Sequence, residues 1–263
     1  MSEQTTKHLI TRLSGSEVKE LDDTVVIESS LQINLNQTEL ATLMCSPGHE
    51  QALGTGFLFS EGLIDKAEDI LSLEQKANSL YFTVSPEKFN QEQQLQKYIS
   101  SGCGRGITFN LTRKALQLHK QNKTIAPVAS AEQVLTLMQD FQTKSELFLN
   151  TGGVHSAALA TPAEIIYFAE DIGRHNAVDK ILGQALLDGQ SLDGKLLLTS
   201  GRISSEIARK VAQAEIPIIV SRSAPTDRAL LFAAELQMTV IGFARAKKMN
   251  VYTHKERLLI DSL

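Results

Sequence analysis

The chain has 263 residues, of which 42% are hydrophobic and 21% charged, a composition that excludes collagen-like, disordered and disulfide-scaffold classes and suits one large or two modest packed domains. Its 26 Lys and Arg against 30 Asp and Glu give a net charge of −4, which argues against a surface that tracks nucleic acid throughout but leaves room for local basic patches. The two cysteines, Cys45 and Cys103, cannot supply a disulfide framework or a four-cysteine metal site, and they point to a reducing compartment.

Met1 to His8 are polar and charged where a secretory signal carries an apolar core. The longest apolar run, Ala229 to Ala234, is six residues, far short of the roughly 20 that span a bilayer. A cytoplasmic protein is therefore expected. From His8 to about Val84 the chain reads mainly as strands. Residues 23–35 alternate and are β-branched, and residues 39–46 form an apolar run that stops at Pro47-Gly48. One helix interrupts them over His49 to Gly62, with Leu53, Phe57 and Leu58 at helical spacing. This half is expected to be a small α+β unit. The polar stretch Ser85 to Gln96 and the glycine-rich Ser100 to Gly106 read as a loop between the halves, and Gln117 to Pro127 as a second linker.

Beyond Ser130, helix and strand alternate. Helices are expected at Ala131–Gln142, Asn176–Asp188, Ser204–Ala214 and Arg228–Gln237, with strands around Ala163–Phe168, Lys195–Thr199, Ile216–Val220 and Thr239–Phe243. Such alternation builds a sheet covered by helices on both faces, with ligands expected at the edge where strands give way to helices. The overall expectation is an α/β protein (α+β overall), with a strand-rich domain over residues 1–120 and a three-layer α/β/α domain over 121–263.

Several residues carry chemistry. In Ser101-Gly-Cys-Gly-Arg-Gly, backbone N–H groups and Arg105 favour a thiolate at Cys103, although the same letters also read as a plain glycine turn. Cys45 ends an apolar strand and reads as a small packed residue. The stretch Glu170-Asp-Ile-Gly-Arg-His-Asn-Ala-Val-Asp-Lys sits at a strand-to-helix junction, where a helix start with Arg174 and His175 would attract an anion; the alternative is an Asn176 cap with a solvated charge cluster. Ser200-Gly-Arg-Ile-Ser and Ser221-Arg-Ser-Ala-Pro-Thr repeat the pattern. Arg174, Arg202 and Arg222 would together crowd one sheet edge with phosphate donors, raising the odds of a nucleotide-like ligand. Residues 243–257 carry five Lys or Arg against one Glu, interleaved with Phe243, Met249, Val251 and Tyr252, which implies an ordered element and an anionic partner.

Two motifs fail on inspection. Gly189 to Lys195 has P-loop spacing, but Leu196 replaces the magnesium-binding Ser or Thr and the strand follows the loop instead of preceding it. His155 in Thr151-Gly-Gly-Val-His-Ser-Ala lacks both the Glu and the paired cysteines of a zinc deaminase, so no zinc is expected.

Taken in order, Phe59-Ser-Glu-Gly-Leu-Ile, Gly102-Cys-Gly, Thr151-Gly-Gly-Val-His-Ser-Ala-Ala-Leu, the 170–180 stretch, Ser200-Gly-Arg-Ile-Ser, Ser221-Arg-Ser-Ala-Pro-Thr, Ile241-Gly-Phe and Asn250-Val-Tyr-Thr strongly resemble the FdhD family of formate dehydrogenase accessory proteins. The resemblance implies a cytoplasmic sulfurtransferase that takes sulfur from a cysteine desulfurase as a persulfide and passes it to the molybdenum cofactor, bis-molybdopterin guanine dinucleotide, before insertion into formate dehydrogenase. It also implies a cytidine-deaminase-like C-terminal domain without zinc, and a homodimer is expected. The family's persulfide cysteine falls on Cys103, and its cofactor-binding stretch on Phe243, Ala244, Arg245, Ala246, Lys247 and Lys248. Two positions depart from the common pattern: Gly106 stands where many relatives carry a second loop cysteine, and Lys247 and Lys248 stand where Gly and Arg are frequent. A non-catalytic chaperone that binds and delivers the cofactor is the alternative, and a regulator or enzyme acting on another nucleotide, without a role for Cys103, is a third.

Overall fold

The structure is a computed structural model and describes residues 4–85 and 126–260. The 120/121 domain boundary, Cys103 with its loop and Gly106, and most of the 117–127 linker lie outside the described residues. The chain opens with the hairpin β1 (Thr5–Ser14) and β2 (Glu17–Val26). Next come β3 (Ser29–Leu35), β4 (Thr38–Cys45), helix α1 (Glu50–Ser60), β5 (Ile70–Lys76) and β6 (Ser79–Val84). These four strands form a sheet in the order β4-β3-β6-β5, with β3 and β6 parallel. The sequence runs 23–35 together, whereas the chain breaks at residues 27–28 and assigns β2 and β3 to different sheets.

The short β7 (Ala129–Ser130) leads into α2 (Ala131–Thr143), where the Ser130 hydroxyl accepts from Gln133 N at 3.1 Å and the Gln133 side chain accepts from Ser130 N at 2.8 Å, a capping box. Then follow α3 (Glu146–Thr151), β8 (His155–Ala160), β9 (Ile165–Asp171) and α4 (Arg174–Leu187). The chain continues through β10 (Leu196–Thr199), α5 (Ser205–Gln213), β11 (Ile218–Ser221), α6 (Asp227–Glu235), β12 (Thr239–Arg245), β13 (Lys248–Val251) and β14 (Leu258–Leu259). The main sheet runs β13-β12-β11-β10-β8-β9, with β10, β11 and β12 parallel. Antiparallel β8, β9 and β13 complete it.

Side chains alternate between the two faces of this sheet. Ala157, Leu159, Leu197, Ile219 and Val240 join α1, α4, α5 and α6 in one core, while Ala158, Ala160, Leu196, Leu198, Ile218, Val220 and Ile241 join α2 and Leu258 in the other. The arrangement is the expected three-layer α/β/α. Among the elements illegible in the sequence are β8 and α3. β8 is an alanine-rich run of low strand propensity that is stable because Ala157, Ala158 and Ala160 are wholly buried between helix layers, and α3 is too short to show a period.

Helix α1 belongs by packing to both halves of the chain. Gly54 lies against Leu80 and Phe82 of β6, so α1 covers the four-stranded sheet. On its other side α1 crosses α4 at backbone contact: a Cβ on Gly56 would strike the carbonyl of Asp179, and one on Gly183 the carbonyl of Ala52. Glycines that lower helix propensity in the sequence are thus what lets the two helices meet. Gly183→Ala should force the helices apart and cost at least about 2 kcal/mol in denaturant unfolding, because the clash is with backbone and cannot be relieved by a rotamer change.

Candidate functional site

The C-terminal ends of β10, β11 and β12 lie at one edge of the main sheet, together with the start of β8 and the end of β9, because β8 and β9 run antiparallel to their neighbours. A cleft of about 490 Å³ opens along this edge, lined by Ser200, Arg222 and Arg245 from the parallel strand ends, by His155 and Ile172 beside them, and by Phe148 and Gly152 to Val154 from α3 and its exit turn. The volume is that of a small-molecule site. Among the described residues, its lining holds two arginines and no carboxylate.

The floor is tied together by local hydrogen bonds. Ser200 Oγ accepts from Ser156 N at 2.9 Å and lies 3.4 Å from His155 Nδ1. Ser221 Oγ donates to Gly201 O at 2.6 Å and accepts from Ser223 N at 2.9 Å, so the turns after β10 and β11 hold each other. Burial, and then the nearby Arg174 guanidinium, lower the His155 pKa below its ordinary value.

The 170–180 stretch proves largely structural. Helix α4 begins at Arg174 with Gly173 as its cap, two residues earlier than expected, and Asn176 is not the cap. Instead, Asn176 Nδ2 donates to Asp171 Oδ1 and to Met44 O, both at 2.8 Å. Asp171 and Lys180 form a buried ion pair at 2.8 Å, with side chains 0% and 1% exposed. Asp179 pairs with Lys210 at 2.8 Å and accepts from the Ser60 hydroxyl at 2.8 Å, while Glu61 lies 3.6 Å from the same ammonium. Burial pushes the Glu61 carboxyl up to about 7, against the pull of Lys210. His175, 3.1 Å from Glu206 through Nε2, is held down to about 4 by burial first, then by Lys210 and Arg174.

Of the expected arginines, Arg222 lines the cleft, Arg174 packs its Cβ and Cδ against Gly201, and Arg202 is exposed without reaching it. Within the 243–248 stretch only Arg245 is a lining residue. Ala244 is fully buried in the core, Phe243 is half-buried at a bulge where φ is 52°, and Ala246, Lys247 and Lys248 are exposed where β12 turns into β13. Phe148 was missed by sequence reasoning, since a lone aromatic on a short helix carries no pattern, and Ile172 lies within the 170–180 stretch without having been singled out there. Among the described residues, no three His, Cys, Asp or Glu side chains converge as a metal ion requires, and no helix is long and apolar enough to cross a membrane.

The sequence model of the FdhD/NarQ family matches residues 26–259. The chain is 40% identical over 252 residues to a sulfur carrier protein FdhD of Bacillus subtilis strain 168, covering 94% of this chain and 95% of that protein. It is 41% identical over 254 residues to its counterpart in Listeria innocua, covering 95% and 97%. In three dimensions it is similar to a crystal structure from Desulfotalea psychrophila, described as a formate dehydrogenase accessory protein, with a TM-score of 0.78 at 26% identity over 98% of this chain and all of that one.

The buried Glu61 carboxyl gives a pH test. Its folded value lies above the ordinary 4.5, so the stability it contributes is complete below that value and is lost as pH rises through about 7. Glu61→Gln removes this titration. Its melting temperature relative to the parent should therefore climb as pH is raised from about 5 to about 8, measured by thermal unfolding; a pH-independent difference would mean the carboxyl titrates normally.

Proposed function

Because the chain belongs to the FdhD/NarQ family, we propose that it carries sulfur for formate dehydrogenase. In this reading Cys103 accepts sulfur from a cysteine desulfurase and passes it to the molybdenum of bis-molybdopterin guanine dinucleotide, the bound substrate, before that cofactor enters formate dehydrogenase. The observation that carries the reading is the end-to-end correspondence with proteins named as sulfur carriers. The reading places the protein in the cytoplasm, as a homodimer, with the desulfurase and formate dehydrogenase as partners.

The loading step is a thiol–disulfide type exchange: the Cys103 thiolate attacks the outer sulfur of the donor persulfide, one S–S bond forms as another breaks, and the donor leaves as a thiolate. Cys45 is unsuited to the part. It is 2% exposed, and burial with the Asp171 charge nearby pushes its thiol up to about 11, so it stays protonated and unreactive near neutral pH. Binding of the nucleotide arms is assigned to the cleft, where Arg222 and Arg245 can meet phosphate through charge-assisted hydrogen bonds.

Cys103→Ser should abolish activation of formate dehydrogenase in a strain lacking the accessory protein, and Cys45→Ala should leave it near the parental level. Mass spectrometry after incubation with desulfurase and cysteine should show added sulfur on Cys103. Full activation by Cys103→Ser would favour the passive chaperone.

Within the 243–248 stretch, Arg245→Gln should weaken GDP binding about tenfold in calorimetry, and combined Lys247→Gln and Lys248→Gln less than about threefold, since exposed lysines act only through a screened field. The opposite ranking would move the phosphate site out onto the β12–β13 turn.

A further inference from the structure

The cleft is polarised along the sheet edge. Reading the strand ends in spatial order gives Arg245 on β12, Arg222 after β11, Ser200 after β10, His155 on β8 and Ile172 after β9. Phe148 completes the last end, because α3 is tied to β9: Glu170 accepts from the backbone N–H groups of Leu147 and Phe148, each at 3.0 Å. The charge of the lining thus sits at one end and its apolar surface at the other. With neighbouring strands about 4.8 Å apart, three to four spacings separate the two ends by roughly 14–19 Å.

Phe148 is the unexplained residue of this wall. It is 43% exposed, so the core does not account for it, yet its backbone is fixed by the Glu170 carboxylate and by the turn that closes α3, where Thr151 Oγ1 donates to Leu147 O at 2.7 Å. A rigidly based aromatic ring facing a cleft whose far end is cationic suits a ligand with a flat apolar ring at one end and anionic oxygens at the other.

On the assignment of the nucleotide arms to this cleft, we infer that Phe148 is the stacking platform for the purine base, with Ile172 beside it, while Arg222 and Arg245 hold the phosphates. The dinucleotide arm lies across the strand ends, from β12 to β9. Base–aromatic stacking of this kind is lost on truncation of the ring and survives exchange for another aromatic ring.

The test compares GDP with inorganic pyrophosphate by calorimetry on the full chain. The parent should bind GDP about tenfold more tightly than pyrophosphate, Phe148→Ala should lose that advantage while binding pyrophosphate as before, and Phe148→Tyr should retain it. Arg222→Gln should weaken both probes alike. Retained pyrophosphate binding by Phe148→Ala also shows that the variant is folded and the cationic end intact. If Phe148→Ala binds GDP like the parent while Arg222→Gln does not, the stacking role is overturned and the cofactor reading stands. If the parent binds neither probe, the assignment of the cleft fails and the stacking role with it.

Discussion

The ion pair between Asp171 and Lys180 is the constraint on which the site depends. Asp171 ends β9, and besides Lys180 it accepts from Ser46 N at 3.0 Å, Gly173 N at 2.9 Å and Asn176 Nδ2 at 2.8 Å. Lys180 in turn donates to Ser46 O at 3.0 Å and Glu170 O at 3.3 Å. One carboxylate therefore sets the β9–α4 turn and fastens the end of β4, from the four-stranded sheet, to the edge of the six-stranded one. Breaking a buried pair by removing one partner leaves an uncompensated charge, which is far costlier than never having built it.

A second charged network locks the helix layer. Lys210 of α5 reaches Asp179 of α4 and Ser60 at the end of α1, so three helices from distant parts of the sequence share one ammonium. The geometry is possible only because α1 and α4 touch at Gly56 and Gly183, which brings Ser60 and Asp179 within 2.8 Å. Glu61 is the surplus acid of this cluster. Burial favours its protonated form, and the Asp179 carboxylate already paired with the ammonium adds to this.

Around the cleft itself, shorter-range bonds between strand ends add to these two networks. The strand ends that carry His155, Ser200 and Arg222 are joined by the serine bonds between their turns, and the end that carries Phe148 is joined to β9 through Glu170. These walls of the cleft are thus bonded to neighbouring strand ends, which preorganises them for a ligand.

The sequence by itself determined the α/β class, most of the C-terminal helices and strands, the packed character of Cys45 and the placing of Arg222 and Arg245 among the candidate donors, because hydrophobic period, strand-ending turns and residue chemistry are local properties. It also carried the family, through short blocks in collinear order. It could not separate the 170–180 stretch into ligand-facing and core residues: Asp171, Asp179 and Lys180 have the letters of an active site, and only their burial against Ser46, Ser60 and Lys210 makes them structural. Nor could it find β8, whose alanines become a strand through packing on both faces, or show that Ala244 points into the core while Arg245 next to it lines the cleft. Strand order decided the rest. Phe148 and Arg245, almost a hundred residues apart in the chain, line one cleft because β12 and β9 end at the same edge of one sheet.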